Sequence, residues 1–163
     1  MQDGVLTHTL HPYELRCNGQ VFSETGLSAM IAGDYGVPVA LATGDDATLR
    51  DADTLLGAGT YVGVTTKRGI SRFAAASLHP GAARDRIRAG AEEALRRLDE
   101  FVPFQVAQPL RLELDFYYSP QADITALIPT TERLGDRTLA FSAPDPLTAY
   151  RTFLATYSGL QSD

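Results

Sequence analysis

The sequence predicts a mixed α/β fold, and three patterns carry that expectation. Asn18-Gly19 stands between two short alternating stretches, the strongest short hairpin signal because both residues accept positive φ. Val37-Pro38-Val39-Ala40-Leu41-Ala42 is a continuous apolar run of the kind that fills a buried parallel strand. Leu110-Arg111-Leu112-Glu113-Leu114-Asp115-Phe116 alternates apolar and charged residues, as a half-buried strand does. The expected architecture is a mixed sheet with helical crossovers and an N-terminal β-hairpin.

The remaining elements follow in chain order. Tyr13-Glu14-Leu15-Arg16-Cys17 is the first hairpin strand and Gln20-Val21-Phe22 its return. A two-residue turn sets Cys17 opposite Gln20 and Leu15 opposite Phe22, and carries Tyr13 to face Glu24. Ser23 is placed to cap a helix reaching residue 35, with Leu27, Met30 and Ile31 inward at helical spacing. After the apolar run, Gly44-Asp45-Asp46 leads into a helix over residues 47–56, and residues 61–66 read as another strand. Pro80 opens a long helix to residue 101, with Ile87, Ala91, Ala94, Leu95 and Leu98 inward. Glu92 with Arg96, and Glu93 with Arg97, lie one turn apart on its wet side. A short helix over 121–127 and a strand over 137–141 come next. Pro146 starts the last helix, with Leu147, Tyr150, Leu154 and Tyr157 on one face. Residues 1–163 are read as one α/β domain with a candidate sub-boundary near 103–109.

Composition narrows the function classes. The 163 residues, 44% of them hydrophobic, suffice for one domain with a real core. The net charge is -6. Lys67-Arg68 with Arg72 is the densest basic stretch and too small a footprint for nucleic acid. Neither nucleic-acid binding nor attachment to an anionic membrane is expected. Cys17 is the single cysteine, so no internal disulfide forms and an oxidising compartment is not indicated. No apolar run approaches the roughly 20 residues that span a bilayer. The opening Met-Gln-Asp-Gly is not a signal peptide, and a cytoplasmic protein is the expectation.

Spacing alone leaves each candidate site residue with a structural role beside a chemical one. Glu24 stands where a hairpin runs into a helix, and a carboxylate there favours the macrodipole. His8 lies in the extended-looking Val5-Leu6-Thr7-His8-Thr9-Leu10, where it is a base, a ligand or an ordinary strand residue. His8 and His11 share a face only on a helix, so in a strand they are not a metal pair. His79, before Pro80, suits a helix cap or an exposed position. Asp45 and Asp46 end the expected parallel strand, an edge where α/β sheets place ligands. They also stand where the next helix needs a cap. Thr66-Lys67-Arg68-Gly69-Ile70-Ser71-Arg72 concentrates positive charge and hydroxyls, either to hold a substrate carboxylate or as a solvated loop. H-E-x-x-H, the P-loop, a G-x-G-x-x-G after a strand and the G-x-S-x-G elbow are absent. Cys17, in mid-strand, gives no reason to expect an activated thiolate.

A family resemblance adds to these readings. Gly4-Val5-Leu6-Thr7-His8-Thr9, the Asn18-Gly19 hairpin and Ser23-Glu24-Thr25-Gly26-Leu27-Ser28-Ala29 resemble the binuclear-zinc D-aminopeptidases of the dipeptide-transport-operon type. The similarity runs through Ala32-Gly33-Asp34-Tyr35-Gly36-Val37-Pro38-Val39 into Gly44-Asp45-Asp46. It resumes at Lys67, Ile70-Ser71-Arg72 and Leu78-His79-Pro80, and continues more weakly from Leu112 to the last helix. The resemblance implies that Glu24 is a zinc ligand and His8 the catalytic histidine; substrate-binding residues remain unknown. It also implies two Zn2+ ions per complete site and release of N-terminal D-amino acids, notably D-alanine, from short peptides. The implied assembly is a homo-oligomer, a decameric ring with active sites facing an inner chamber.

Members of that family begin with a strand bearing an Asp-x-Glu pair, followed by two histidine ligands, and this chain starts a few residues before His8. The resemblance therefore implies the C-terminal part of the family fold, lacking the first strands and helices, with an incomplete ligand set. One glutamate and one histidine fall short of the roughly three protein ligands of a zinc site. Three accounts follow from this. The chain is an enzyme half that docks a separate N-terminal half, an inactive remnant acting as an oligomerising or peptide-binding domain, or a shortened product of a full enzyme. A missing first strand also implies an exposed sheet edge and a tendency to associate.

Overall fold

The computed structural model describes Gly4 and residues 12–158. In chain order the first half contains β1 (Glu14–Cys17), β2 (Gln20–Phe22), α1 (Glu24–Asp34), β3 (Leu41–Asp45), α2 (Asp46–Leu56), β4 (Val62–Ser71) and β5 (Ala74–Ser77). The second half contains α3 (Pro80–Arg96), β6 (Leu110–Asp115), α4 (Ser119–Thr125), β7 (Thr131–Arg133), β8 (Thr138–Ala143) and α5 (Pro146–Ser158). The chain divides into two compact units. Ser23–Phe104 belong to one; the hairpin before Ser23 and the chain from Gln105 onward make the other.

The first unit holds the mixed sheet, in the order β3-β4-β5. β3 and β4 are parallel, with Leu41 facing Val62 and Thr43 facing Val64, so α2 is the helical crossover that a parallel pair requires. β4 alternates its side chains between two helices. Tyr61, just before the strand, packs with Leu49 and Ala52 of α2. Val62 packs instead with Ala94 of α3 and with Phe101. Gly90 lets α3 settle on this sheet, because a Cβ there would lie 2.5 Å from Val64 Cγ2.

Several expectations for this unit need correction. The apolar run becomes strand only at Leu41, and β3 is half-buried rather than buried. Pro38 offers no N–H for a ladder, and Val37 is exposed. β4 runs on to Ser71 and returns as β5, so the basic stretch after Thr66 is a strand and turn rather than a loop. α3 ends at Arg96, and a short 3-10 turn, Leu98–Glu100, follows. Leu95 and Leu98 are not inward: they are 67% and 49% exposed, while Gly90 and Ala94 are the buried residues of α3. The helix rests on its smallest side chains, which turns the leucines away. The Glu93–Arg97 pair forms at 3.1 Å. In α1, Leu27 and Met30 are buried and Ile31 is half-buried, but Ser23 makes no side-chain capping bond.

The second unit is a five-stranded antiparallel sheet in the order β2-β1-β6-β8-β7. The hairpin has the expected register, Leu15 to Phe22 and Cys17 to Gln20, around Asn18 and Gly19 at φ 50° and 80°. The expected continuation to a Tyr13–Glu24 pair does not form. Glu24 already belongs to α1, and Tyr13 donates its N–H to the Asp115 carbonyl at 2.6 Å. Leu110, Leu112 and Leu114 form the buried face of β6, paired across to Ala143, Phe141 and Leu139 of β8. α4 and α5 pack on these central strands. The last helix is rotated from its expected face: Ala149, Phe153 and Thr156 are buried, Leu147 and Tyr150 are half-buried, and Leu154 is exposed. Asp145 fixes its phase by accepting the Thr148 N–H at 2.7 Å. No described helix is long and apolar enough to cross a membrane.

Candidate functional site

Glu24 is the first residue of α1, and its side chain is exposed. The hairpin ends at Phe22 and Ser23 is the extended N-cap, so the local sequence delivers this carboxylate at the positive end of a helix. His8 and His11 lie outside the described residues.

The other candidates have structural partners. Asp45 is buried at the end of β3 and caps α2 by accepting the Thr48 N–H at 2.7 Å. Asp46 accepts the Gly69 N–H at 2.8 Å and an Arg50 N–H at 2.9 Å. The Gly69 bond, then the Arg50 bond, hold its carboxyl below the ordinary carboxylate range. His79 caps α3, its Nδ1 accepting the Gly81 N–H at 3.2 Å. Burial pushes the Cys17 thiol up to about 11, which makes it a poor nucleophile.

One feature of this unit has no counterpart among the expectations from sequence. A groove of about 470 Å³ runs beside α2, lined among others by Asp46, Leu49, Asp53, Ala58, Tyr61 and Thr65. The Tyr61 hydroxyl donates to Asp53 at 2.9 Å. Burial first, and then that carboxylate, raise the tyrosine's pKa, so the hydroxyl stays protonated. Gly57-Ala58-Gly59 was the available signal: both glycines have positive φ, 97° and 84°, and turn the chain back after α2.

The donor set of the described residues decides whether they can form a zinc centre. A zinc takes about three protein ligands. Among the described residues no group of three or more His, Cys, Asp and Glu side chains is placed to hold a metal ion. They do not hold zinc by themselves.

The model of the D-aminopeptidase family matches residues 1–155 of the sequence. This chain belongs to the D-aminopeptidase family. Within that family, a D-aminopeptidase of Bacillus subtilis (strain 168) is 33% identical over 157 residues, which is 93% of this chain and 56% of the relative. The solved structure of the Zn-dependent D-aminopeptidase DppA from Bacillus subtilis, a self-compartmentalizing protease, superposes with a TM-score of 0.90 at 28% identity. That match covers 99% of this chain and 60% of the other. The chain thus spans a little over half the length of these relatives, with the same mixed α/β fold. The family match includes both His8 and Glu24.

Proposed function

We propose that this chain is the C-terminal part of a zinc-dependent D-aminopeptidase that releases N-terminal D-amino acids, D-alanine above all, from short peptides. The observation that carries this is the family match over residues 1–155, which takes in both site residues, joined to the exposed placement of Glu24 at the head of α1. Glu24 takes one ligand position in the metal centre. His8 is the catalytic histidine, acting by proton transfer or by stabilising charge. The other ligands of a two-zinc site fall to an N-terminal half that is a separate polypeptide or part of the same protein. The zinc-dependent relative supports the choice of metal. Its self-compartmentalizing assembly supports a homo-oligomer, and the decameric ring is the specific form proposed. A cytoplasmic setting fits the single buried cysteine.

The test is D-alanine release from D-Ala-D-Ala, together with zinc per chain. It is run on the purified chain alone and on the chain mixed with an N-terminal polypeptide bearing the Asp-x-Glu strand. Zinc-dependent release by the mixture, lost on His8→Ala or Glu24→Ala, is the expected result. A mixture that binds zinc yet leaves the dipeptide intact overturns the proposal in favour of an inactive oligomerising or peptide-binding remnant.

A further inference from the structure

β4 continues past its partner. β3 pairs with it only as far as Lys67, and the rest of β4 pairs with β5 alone. Residues 68–77 are therefore a two-stranded arm anchored at its root by the Gly69–Asp46 bond of 2.8 Å. The arm carries Lys67 at its root, then Arg68 and Arg72, and residues 67–77 contain no acidic residue. Without these three cations the chain retains 11 Lys and Arg against 20 Asp and Glu, from totals of 14 and 20. Ile70 and Phe73 are 62% and 81% exposed, and Arg72 lies over the Phe73 ring at 5.9 Å. Among the described residues β5 pairs only with β4. Its Ala-Ala-Ala-Ser edge has none of the charges or prolines that guard a free edge.

The groove beside α2 has the complementary character. Asp46 and Asp53 outnumber Arg50 in its lining, and Leu49, Ala58 and Tyr61 add apolar surface to it. Its volume of about 470 Å³ lies within the roughly 300–1,000 Å³ of pockets that take a ligand-sized group. Asp46 both lines the groove and holds the arm's root, so arm and groove are neighbours on one surface. Neighbouring, complementary features allow a two-fold axis to satisfy both at once.

We infer that two copies of this chain exchange β4–β5 arms, the basic tip of each, with Phe73, lying in the α2 groove of the other. This rests on the homo-oligomer proposed above and names one contact that builds it. Opposite charges steer the encounter, and burial of Phe73 supplies the anchor.

Sedimentation velocity on the full chain tests this, with far-UV circular dichroism as the control for folding. Phe73→Ser alters the arm, and Ala58→Trp fills the groove; both positions are exposed, so neither change disturbs the core. The expected result is a wild-type chain that associates more weakly as salt rises, with association at least tenfold weaker in each variant. Association that survives in both variants overturns the arm exchange and leaves the homo-oligomer standing. A loss in Phe73→Ser with none in Ala58→Trp overturns the groove as the arm's seat. A monomeric wild type overturns both the exchange and the homo-oligomer, while D-alanine release judges the peptidase separately.

Discussion

Oδ1 of Asp46 accepts the backbone N–H of Gly69 at 2.8 Å, tying the first turn of α2 to the strand from which the arm departs. Oδ2 of the same carboxylate takes Arg50 at 2.9 Å, one turn along the helix. One side chain thus pairs and anchors.

That carboxylate makes acid stability depend on position 46. Its folded pKa is depressed by the Gly69 bond first and Arg50 second. Its contribution is therefore present above the unfolded value of about 3.9 and is lost as pH falls through the lower folded value. The melting temperature of the wild type should drop through this range. Asp46→Asn, which keeps an acceptor without charge, should flatten that part of the profile in thermal melts measured against pH.

Cys17 predicts the opposite slope at high pH. Burial raises its thiol from 9.0 to about 11. Between these values the unfolded chain gives up the proton and the folded chain keeps it, so stability falls as pH rises. The loss should reach about 2–3 kcal/mol and be missing from Cys17→Ala in denaturant titrations. Alkylation of the folded wild type should be slow at neutral pH and fast once the chain is unfolded.

Gly33 faces the Phe104 backbone so closely that a Cβ would collide with the Phe104 carbonyl oxygen. A backbone neighbour yields less readily than a side chain. Gly33→Ala should cost about 1–3 kcal/mol, read from the midpoint of urea unfolding, although alanine is the better helix former.

Tyr61→Phe removes the hydroxyl that Asp53 accepts at 2.9 Å and retains the packing against Leu49 and Ala52. Asp53 is exposed and water replaces the lost donor. The expected cost is about 0.5–1.5 kcal/mol by the same unfolding measurement.

Glu24, the proposed zinc ligand, allows stability and activity to be tested separately. An exposed carboxylate in a first helical turn contributes roughly 0.3–1 kcal/mol through the helix dipole. Glu24→Gln should therefore change the unfolding midpoint little, yet abolish the zinc-dependent D-alanine release proposed for the chain together with its N-terminal half. A large loss of stability with activity intact would assign the residue to the scaffold instead.

The elements most legible in the sequence were those whose side chains decide themselves locally. Asn18-Gly19 dictates its own turn and hence the Leu15–Phe22 register. The β6 alternation reports its two faces directly. Less was legible where a neighbour chooses the face. α3 looks amphipathic around its leucines, but β4 selects the Gly90–Ala94 stripe because close approach rewards small residues. β5 was missed because three alanines carry no period and weak strand preference; its pairing with β4 is tertiary. At the site, Asp45 and His79 were readable as caps. The Tyr61–Asp53 contact was not, since it depends on how the chain folds back through Gly57 and Gly59.

The pairing of β1 with β6 joins residues far apart in the chain; Arg16 and Glu113 are separated by 97 positions. Everything from Ser23 to Phe104 is translated between them. As the ribosome extrudes the chain, the hairpin emerges ahead of Ser23–Phe104 but cannot complete its sheet until residues 110–115 follow. Ser23–Phe104 therefore has the opportunity to organise while β1 still waits, and the closing of the antiparallel sheet is a late, non-local event. A pause in synthesis after Phe104 would leave one edge of β1 unpaired, and Leu15 and Cys17 without their cross-strand neighbours Leu114 and Leu112.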